Sequence, residues 1–235
     1  MNKTLYLFPV NISAPSGEQP TALSHYVTLL DTVQTIFAEN FRSARRNMRA
    51  AGYSGDLNHQ QWVLMEPQMD PSELISALQG ITPHAPGAIL SEAGMPGIAD
   101  PGAEVVAIAH QLGIKVVPLV GPSSMFLALA ASGFNGQQFT FHGYLPVNEN
   151  ERHKALKKLE HESLQSGYTQ IFMETPYRNL QMIQSICKVL HDNTMVCIAA
   201  DITGEQEFIA TLPVTKWRGQ KPNIHKRPAV YLISG

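Results

Sequence analysis

The segment Ser91-Glu92-Ala93-Gly94-Met95-Pro96-Gly97-Ile98-Ala99-Asp100-Pro101-Gly102 constrains this chain more than any other. It follows a short apolar run, Ala88-Ile89-Leu90, and leads into a helix-like stretch, Gly102–Leu112. Glycines combined with Pro-Gly and Asp-Pro-Gly steps make a tight loop with few bulky side chains. At the carboxyl end of a strand, such a loop lets a ligand lie against backbone N–H and C=O groups. An ordinary strand-to-helix connection uses the same residues as punctuation, so both readings stand on this segment alone.

The rest of the chain alternates strand and helix. Strand-like runs are Leu5–Val10, Gln61–Leu64, Ala88–Leu90, Lys115–Leu119, Phe139–His142, Thr169–Met173, Met195–Ala200, Glu207–Thr211 and Ala229–Ser234. Helix-like runs are Ala22–Leu29, Ala44–Ala51, Ser72–Leu78, Gly102–Leu112, Ser124–Ala131, Asn148–Glu162, Arg178–Leu190 and Pro213–Trp217. Alternation in the first half predicts parallel βαβ connections. The last three strands follow one another closely and predict antiparallel hairpins, hence a mixed sheet in the second half. Ser13–Pro20 reads as a surface loop.

Composition narrows the class. At 235 residues, 44% hydrophobic and 15% charged, the chain suits a folded globule of one large or two small domains. No stretch approaches the ~20 consecutive apolar residues of a membrane span. The first apolar run is short and lacks a small-residue cleavage site, so no signal peptide and a cytoplasmic location are expected. Cys187 and Cys197 read as buried free thiols. The net charge of −2 hides two acid-free basic clusters. One is Arg42, Arg45, Arg46 and Arg49; the other is Lys216, Arg218, Lys221, Lys226 and Arg227. Such local patches fit a partner carrying phosphates at a defined place. The spacing of the first is i, i+3, i+4, i+7, one face of a helix.

Several chemistries lack their signatures. There is no G-x-G-x-x-G for a nicotinamide or flavin, and no G-x-x-x-x-G-K-[ST]. No H-x-x-x-H occurs and the cysteines are poorly spaced, so no metal site is expected. Gly121-Pro122-Ser123-Ser124-Met125 lacks the second glycine of a hydrolase nucleophile elbow.

Beyond the first loop, Lys115–Val120 runs into Gly121-Pro122-Ser123-Ser124. Later come Phe139-Thr140-Phe141-His142-Gly143-Tyr144-Leu145-Pro146 and Ile171-Phe172-Met173-Glu174-Thr175-Pro176-Tyr177-Arg178. This ordered set resembles the tetrapyrrole methylase superfamily of S-adenosyl-L-methionine-dependent methyltransferases. Within it, the chain is most similar to the branch that 2′-O-methylates a cytidine of small-subunit ribosomal RNA. That branch reads S-D-A-G-x-P-x-I-x-D-P-G, P-G-P-[SC]-A, G-F-L-P and F-[YF]-E-[AS]-x-[HY]-R. The likeness is good over residues 86 to 235 and loose over 1 to 60.

The resemblance implies an α/β fold of two lobes, the first with a mainly parallel sheet and the second mixed, with the cofactor in the cleft between them. It places the boundary near residue 118, giving lobes 1–117 and 118–235. The methionine carboxylate and ribose of the cofactor would meet Leu90, Gly94, Ile98, Ser123 and Ser124. Met173, Ala200, Pro228 and Ala229 match positions lining its adenine. On the acceptor side, Ala38-Glu39-Asn40-Phe41-Arg42 resembles A-E-D-x-R, so Glu39 and Arg42 would orient a ribose or phosphate. Glu174 and Arg178 match the F-x-E-x-x-x-R segment, although an i, i+4 pair also simply steadies a helix start. The implied partners are ribosomal RNA or the small ribosomal subunit, and a second copy in a homodimer.

Three departures bear on the acceptor. Asn40 stands where the family has Asp, and Phe8–Ala14 replaces T-P-I-G-N-L-x-D. The chain also ends at a strand, where relatives often continue into a small extra domain. A tetrapyrrole or other small metabolite, or a non-catalytic descendant, are the alternatives these departures keep open.

Overall fold

The computed structural model describes residues 2–13, 21–66 and 69–235. Apart from Ser13, the surface loop expected at Ser13–Pro20 lies outside the described residues. The chain forms two compact units, Met1–Ser123 and Ser124–Gly235. The expected boundary at 118 falls at the end of the last strand of the first unit, in the loop leading to that division.

The first unit holds β1 (Thr4–Phe8), β2 (Thr35–Ala38), β3 (Gln61–Leu64), β4 (Gly87–Leu90) and β5 (Lys115–Pro118). Their order is β3-β2-β4-β1-β5, and every pairing is parallel. The helices are α1 (Val27–Leu30), α2 (Phe41–Ala50), α3 (Pro71–Gln79) and α4 (Gly102–Gln111). Side-chain alternation assigns each strand residue to one face. Leu5, Leu7, Phe37 and Ile89 pack with Leu74, Leu78, Val105 and Ile108 of α3 and α4. Phe8, Ile36, Ala88 and Leu90 pack on the other face with Leu30, Ala44 and Met48 of α1 and α2.

Three local readings needed correction here. β2 was absent from the expected strands: all four of its residues are buried, so it shows no apolar–polar alternation to read. The helix expected at Ala22–Leu29 is a 3-10 turn, Ala22–Tyr26, followed by the single turn α1. The helix expected from Ala44 starts at Phe41, because the Asn40 side chain accepts from Arg42 and Ser43 N–H and caps it.

The second unit holds β6 (Phe139–Tyr144), β7 (Thr169–Glu174), β8 (Met195–Ala200), β9 (Phe208–Pro213) and β10 (Ala229–Ser234). Its helices are α5 (Ser124–Ser132), α6 (Glu149–Ser166), α7 (Asn179–Val189) and α8 (Val214–Trp217). The strand order is β6-β7-β10-β8-β9. β6 runs parallel to β7, while β10 is antiparallel to both β7 and β8, and β8 to β9. The sheet is mixed, as its sequence implied, but only β8 and β9 form the expected hairpin. β9 and β10 do not pair, since β10 inserts between β7 and β8. Burial explains the choice: the core of β10, Tyr231 to Ile233, is inaccessible on both faces, whereas β9 is only partly covered and takes the edge.

Asn179 fixes the approach to β10. Fully buried, it donates through Nδ2 to the carbonyls of Ile224 (2.8 Å) and Arg227 (2.6 Å) and accepts from the Tyr231 hydroxyl (3.0 Å). Tyr231 stacks on Phe172 with ring centroids 5.4 Å apart. Removing the Asn179 amide leaves two buried carbonyls and a hydroxyl to find new partners. Asn179→Ala should therefore cost about 2–3 kcal/mol of stability in urea unfolding, and Tyr231→Phe about 1 kcal/mol.

Candidate functional site

Because the first sheet is wholly parallel, the carboxyl ends of β1, β2, β4 and β5 lie at one end of it, and their loops meet there. Val10, just past β1, donates its N–H to the Gly94 carbonyl at 2.9 Å. Gly94 holds φ +72°, and a Cβ there would lie 3.3 Å from the Pro122 carbonyl. At Gly121 a Cβ would fall 1.9 Å from Pro9 Cβ, so only glycine allows the β5 and β1 loops to approach this closely. The Tyr26 hydroxyl donates to the Val120 carbonyl (2.9 Å) and ties the same loop to the 3-10 turn.

Asp100 organises the long loop after β4. Its Oδ1 accepts from Gly97 N–H (2.7 Å) and Gly102 N–H (2.9 Å), pinning the loop to the first turn of α4. Ala99, between them, is held at φ +61°, a conformation uncommon for a residue with a side chain. The other carboxylate oxygen, Oδ2, is buried with no hydrogen-bond partner among the described residues. Of the residues expected to hold a cofactor, Leu90 and Gly94 are buried, Ile98 is exposed and Ser123 is partly exposed. Leu90 closes β4, and the other three lie in this set of loops. Sequence reasoning passed over Asp100, although its Asp-Pro-Gly step is a readable turn signal.

Glu39 follows β2 at the same end of the sheet. Its Oε1 lies 3.4 Å from both the Ser91 hydroxyl and Glu92 N–H, two weak contacts. Burial, followed by the negative charges of Asp100 and Glu92, raises its proton affinity above that of an ordinary glutamate, more than these contacts lower it. Glu92 in turn accepts from Ser43 Oγ at 3.1 Å. Asn40, in the family's Asp position, spends its side-chain oxygen on the α2 cap. An aspartate would cap equally well, so the exchange preserves the helix start.

The basic stripe divides in two. Arg45 lies over the Trp62 ring, 4.9 Å from its centroid, with its Nε buried and without a hydrogen-bond partner among the described residues. Arg49 donates to the Tyr53 carbonyl at 2.7 Å and sits over that ring. Arg42 and Arg46 stay exposed. The second cluster, acid-free in sequence, meets an acid in space: Arg218 pairs with Asp192 at 2.6 Å.

In the second unit, four expected adenine-side residues come to one end of the sheet. Ala229 stands in register between Glu174 of β7 and Ala200 of β8, and Val230 faces Met173. Pro228 accepts from Asp201 N–H at 2.9 Å. Ala200 and Ala229 are buried, Met173 is partly exposed and Pro228 is exposed. Ser124 is the first residue of α5. Glu174 and Arg178 engage each other: Arg178 donates to Glu174 Oε1 through Nε (2.8 Å) and Nη2 (2.5 Å), and Thr175 N–H donates to the same oxygen at 2.6 Å. Glu174 is buried, and the pair closes the 3-10 turn Pro176–Arg178 that precedes α7.

The chain's likenesses run in the same direction as this geometry. Residues 28–216 match the family described as Tetrapyrrole (Corrin/Porphyrin) Methylases. Ribosomal RNA small subunit methyltransferase I of Escherichia coli O157:H7 is 30% identical, the alignment covering 98% of this chain and 77% of that protein. The protein of the same name from Vibrio cholerae is 35% identical over 63% of this chain, which spans about half its length (51%). Among solved structures, the methyltransferase CobJ superposes over 100% of this chain and 95% of its own with a TM-score of 0.59 at 15% identity. The uroporphyrin-III-C-methyltransferase of Thermus thermophilus gives 0.55 at 13%, covering 98% and 94%. At these identities the structural likeness speaks for the fold.

Glu39 also makes a pH-dependent mark on stability. A raised folded-state affinity means that the native chain binds more protons than the unfolded one between the ordinary and raised values. Stability therefore falls as pH rises through that window. Glu39→Gln should raise the thermal midpoint at pH 7, and the advantage should vanish on acidification below the ordinary glutamate range, as followed by circular dichroism.

Proposed function

This chain belongs to the tetrapyrrole (corrin/porphyrin) methylases, and from that premise we propose that it is an S-adenosyl-L-methionine-dependent methyltransferase acting on a ribose 2′-hydroxyl of small-subunit ribosomal RNA. The observation that carries the reading is the loop Ser91–Gly102, locked by Asp100 and packed against the β1 and β5 loops through glycines that admit no side chain. Similarity over 98% of this chain and 77% of a protein named ribosomal RNA small subunit methyltransferase I supports the acceptor.

A cofactor with a carboxylate, ribose and adenine suits what these loops offer. Backbone groups around Gly94, with Leu90, Ile98, Ser123 and Ser124, would receive its methionine and ribose portions. Met173, Ala200, Pro228 and Ala229 would line its adenine, the two alanines leaving room for a flat ring. When bound, S-adenosyl-L-methionine supplies an electrophilic methyl group on a sulfonium, so the protein's main task is alignment and exclusion of water.

The hydroxyl acceptor needs a base. Glu39 is half-buried, with raised proton affinity and only weak contacts, and it takes the hydroxyl proton in this reading. Arg42 and Arg46, exposed on α2, hold RNA phosphates. Glu174 and Arg178, satisfied by each other, act as positioning residues that set the loop after β7. We further assign the protein to the cytoplasm, with its RNA, as a homodimer. Exposed Phe126, Tyr144, Val147 and Tyr177 in the second unit support association.

Calorimetric titration with S-adenosylhomocysteine tests the cofactor assignment: saturable heat is expected, and none at millimolar ligand with a folded sample would sink it. Asp100→Ala should weaken that affinity about tenfold by freeing Gly97 and Gly102 N–H, whereas Asp100→Asn, which keeps the acceptor, should retain most of it. Ribose-methylation maps of small-subunit RNA from cells with and without the gene test the acceptor, an unchanged map removing it. Replacing Arg42 and Arg46 with Gln should flatten the salt dependence of RNA binding by roughly 0.7 in log–log slope per lost phosphate contact. Light scattering showing a monomer at micromolar concentration would remove the dimer.

A further inference from the structure

A pocket of about 660 Å³ opens along the free edge of the first sheet, against β3 and between the start of α2 and α3. Phe41 and Trp62 line it together with the polar Glu66, Ser72, Glu73 and Ser76 and apolar residues of β3 and α3. None of these residues belongs to the strand-end loops described above. We propose that this pocket receives an unstacked nucleobase of the RNA substrate, with its phosphates held outside by Arg42 and Arg46; the inference rests on the ribosomal RNA reading.

The state of Trp62 favours a stacking role. Its indole N–H already donates to the Leu57 carbonyl at 2.9 Å, so the partly exposed ring offers its uncovered surface and no free donor. Phe41 meets it edge-on, with centroids 5.6 Å apart at 64°, and Arg45 lies over the ring at 4.9 Å. A partly exposed indole held rigidly by an aromatic edge and a guanidinium is a preorganised platform for a base. Glu66, Ser72, Glu73 and Ser76 bring carboxylate and hydroxyl oxygens to the same lining. These accept from the amino and ring N–H groups of a base and repel a phosphate. Arg42 adjoins Phe41 in sequence and Arg46 lies one helical turn on, both exposed. The charges therefore orient the nucleotide with its base inward and its phosphate outward, at the helix that starts two residues after Glu39, the assigned base. A pocket of this size takes a nucleobase readily, and the volume excludes a whole folded RNA helix.

The test uses the full chain, whose two tryptophans are Trp62 and Trp217. Trp217 is 1% exposed within the core of the second unit, so quenching of emission on ligand addition reports Trp62. A short single-stranded, cytidine-containing RNA and purified small ribosomal subunits are titrated in turn, with RNA binding read separately by anisotropy or filter retention. Saturable quenching is expected, lost in Trp62→Phe, together with about a tenfold loss of RNA affinity in Trp62→Ala at an unchanged salt slope. If Trp62→Ala does not fold, wild-type quenching and the affinity of Trp62→Phe decide. RNA binding without quenching, and with wild-type affinity in the tryptophan variants, overturns the pocket assignment and leaves the RNA reading intact. Binding to neither RNA nor subunits overturns both. Should light scattering show that Trp62 substitution dissociates a dimer while RNA affinity stays the same, the edge of β3 serves a second copy and the assignment falls.

Discussion

The approach of Gly121 to Pro9 is the contact on which the candidate site depends. It brings the β5 loop against the β1 loop with no space for one more carbon. Gly94 adds the third strand end, bonded to Val10 and close beneath Pro122. Three connections that are distant in sequence thereby form one surface made largely of backbone. A ligand recognised by N–H and C=O groups needs that density, because any side chain in the way would hold it off. Asp100 completes the arrangement by satisfying two N–H groups that the strained turn would otherwise leave open.

The same economy of side chains shapes the chemistry. Methyl transfer from a sulfonium asks little of the protein beyond alignment, and the loops contain few groups able to do more. Glu39 is the exception. It shares its end of the sheet with Asp100 and Glu92, and burial first, then their negative charges, keep its proton affinity high. A carboxylate placed among like charges suits the role of base better than that of permanent ion pair. The contrast with Glu174 is instructive: there the carboxylate meets Arg178 and a backbone N–H, and its demands are met internally.

Much of the architecture was legible in the chain. Gln61–Leu64, Met195–Ala200 and Ala229–Ser234 appear with the limits read from sequence, because turn residues bound each run sharply. The parallel first sheet and mixed second sheet follow from the spacing of strands and helices. β2 escaped notice because a strand buried on both faces carries no alternation. The position of β10 between β7 and β8 escaped because adjacency in sequence suggests a hairpin, whereas burial decides which strand occupies the centre.

For the site, the glycine-rich loop and the family to which it points were set by local sequence alone, since turn chemistry and close approach restrict which residues serve. What the folded chain decided was how charges are used. Arg42, Arg45, Arg46 and Arg49 are equivalent by spacing, yet Arg45 and Arg49 lie over the Trp62 and Tyr53 rings while Arg42 and Arg46 are exposed without a ring of the described residues beneath them. Trp62 itself gave no signal, since an aromatic residue in a strand reads as core until the edge of the sheet is known. Asp100 looked like part of a turn, and only the folded chain shows it bridging Gly97 in the middle of the loop and Gly102 at its end. Propensity and turn chemistry act over a few residues and can be read in order. Electrostatic pairing and packing depend on neighbours that only the completed fold supplies.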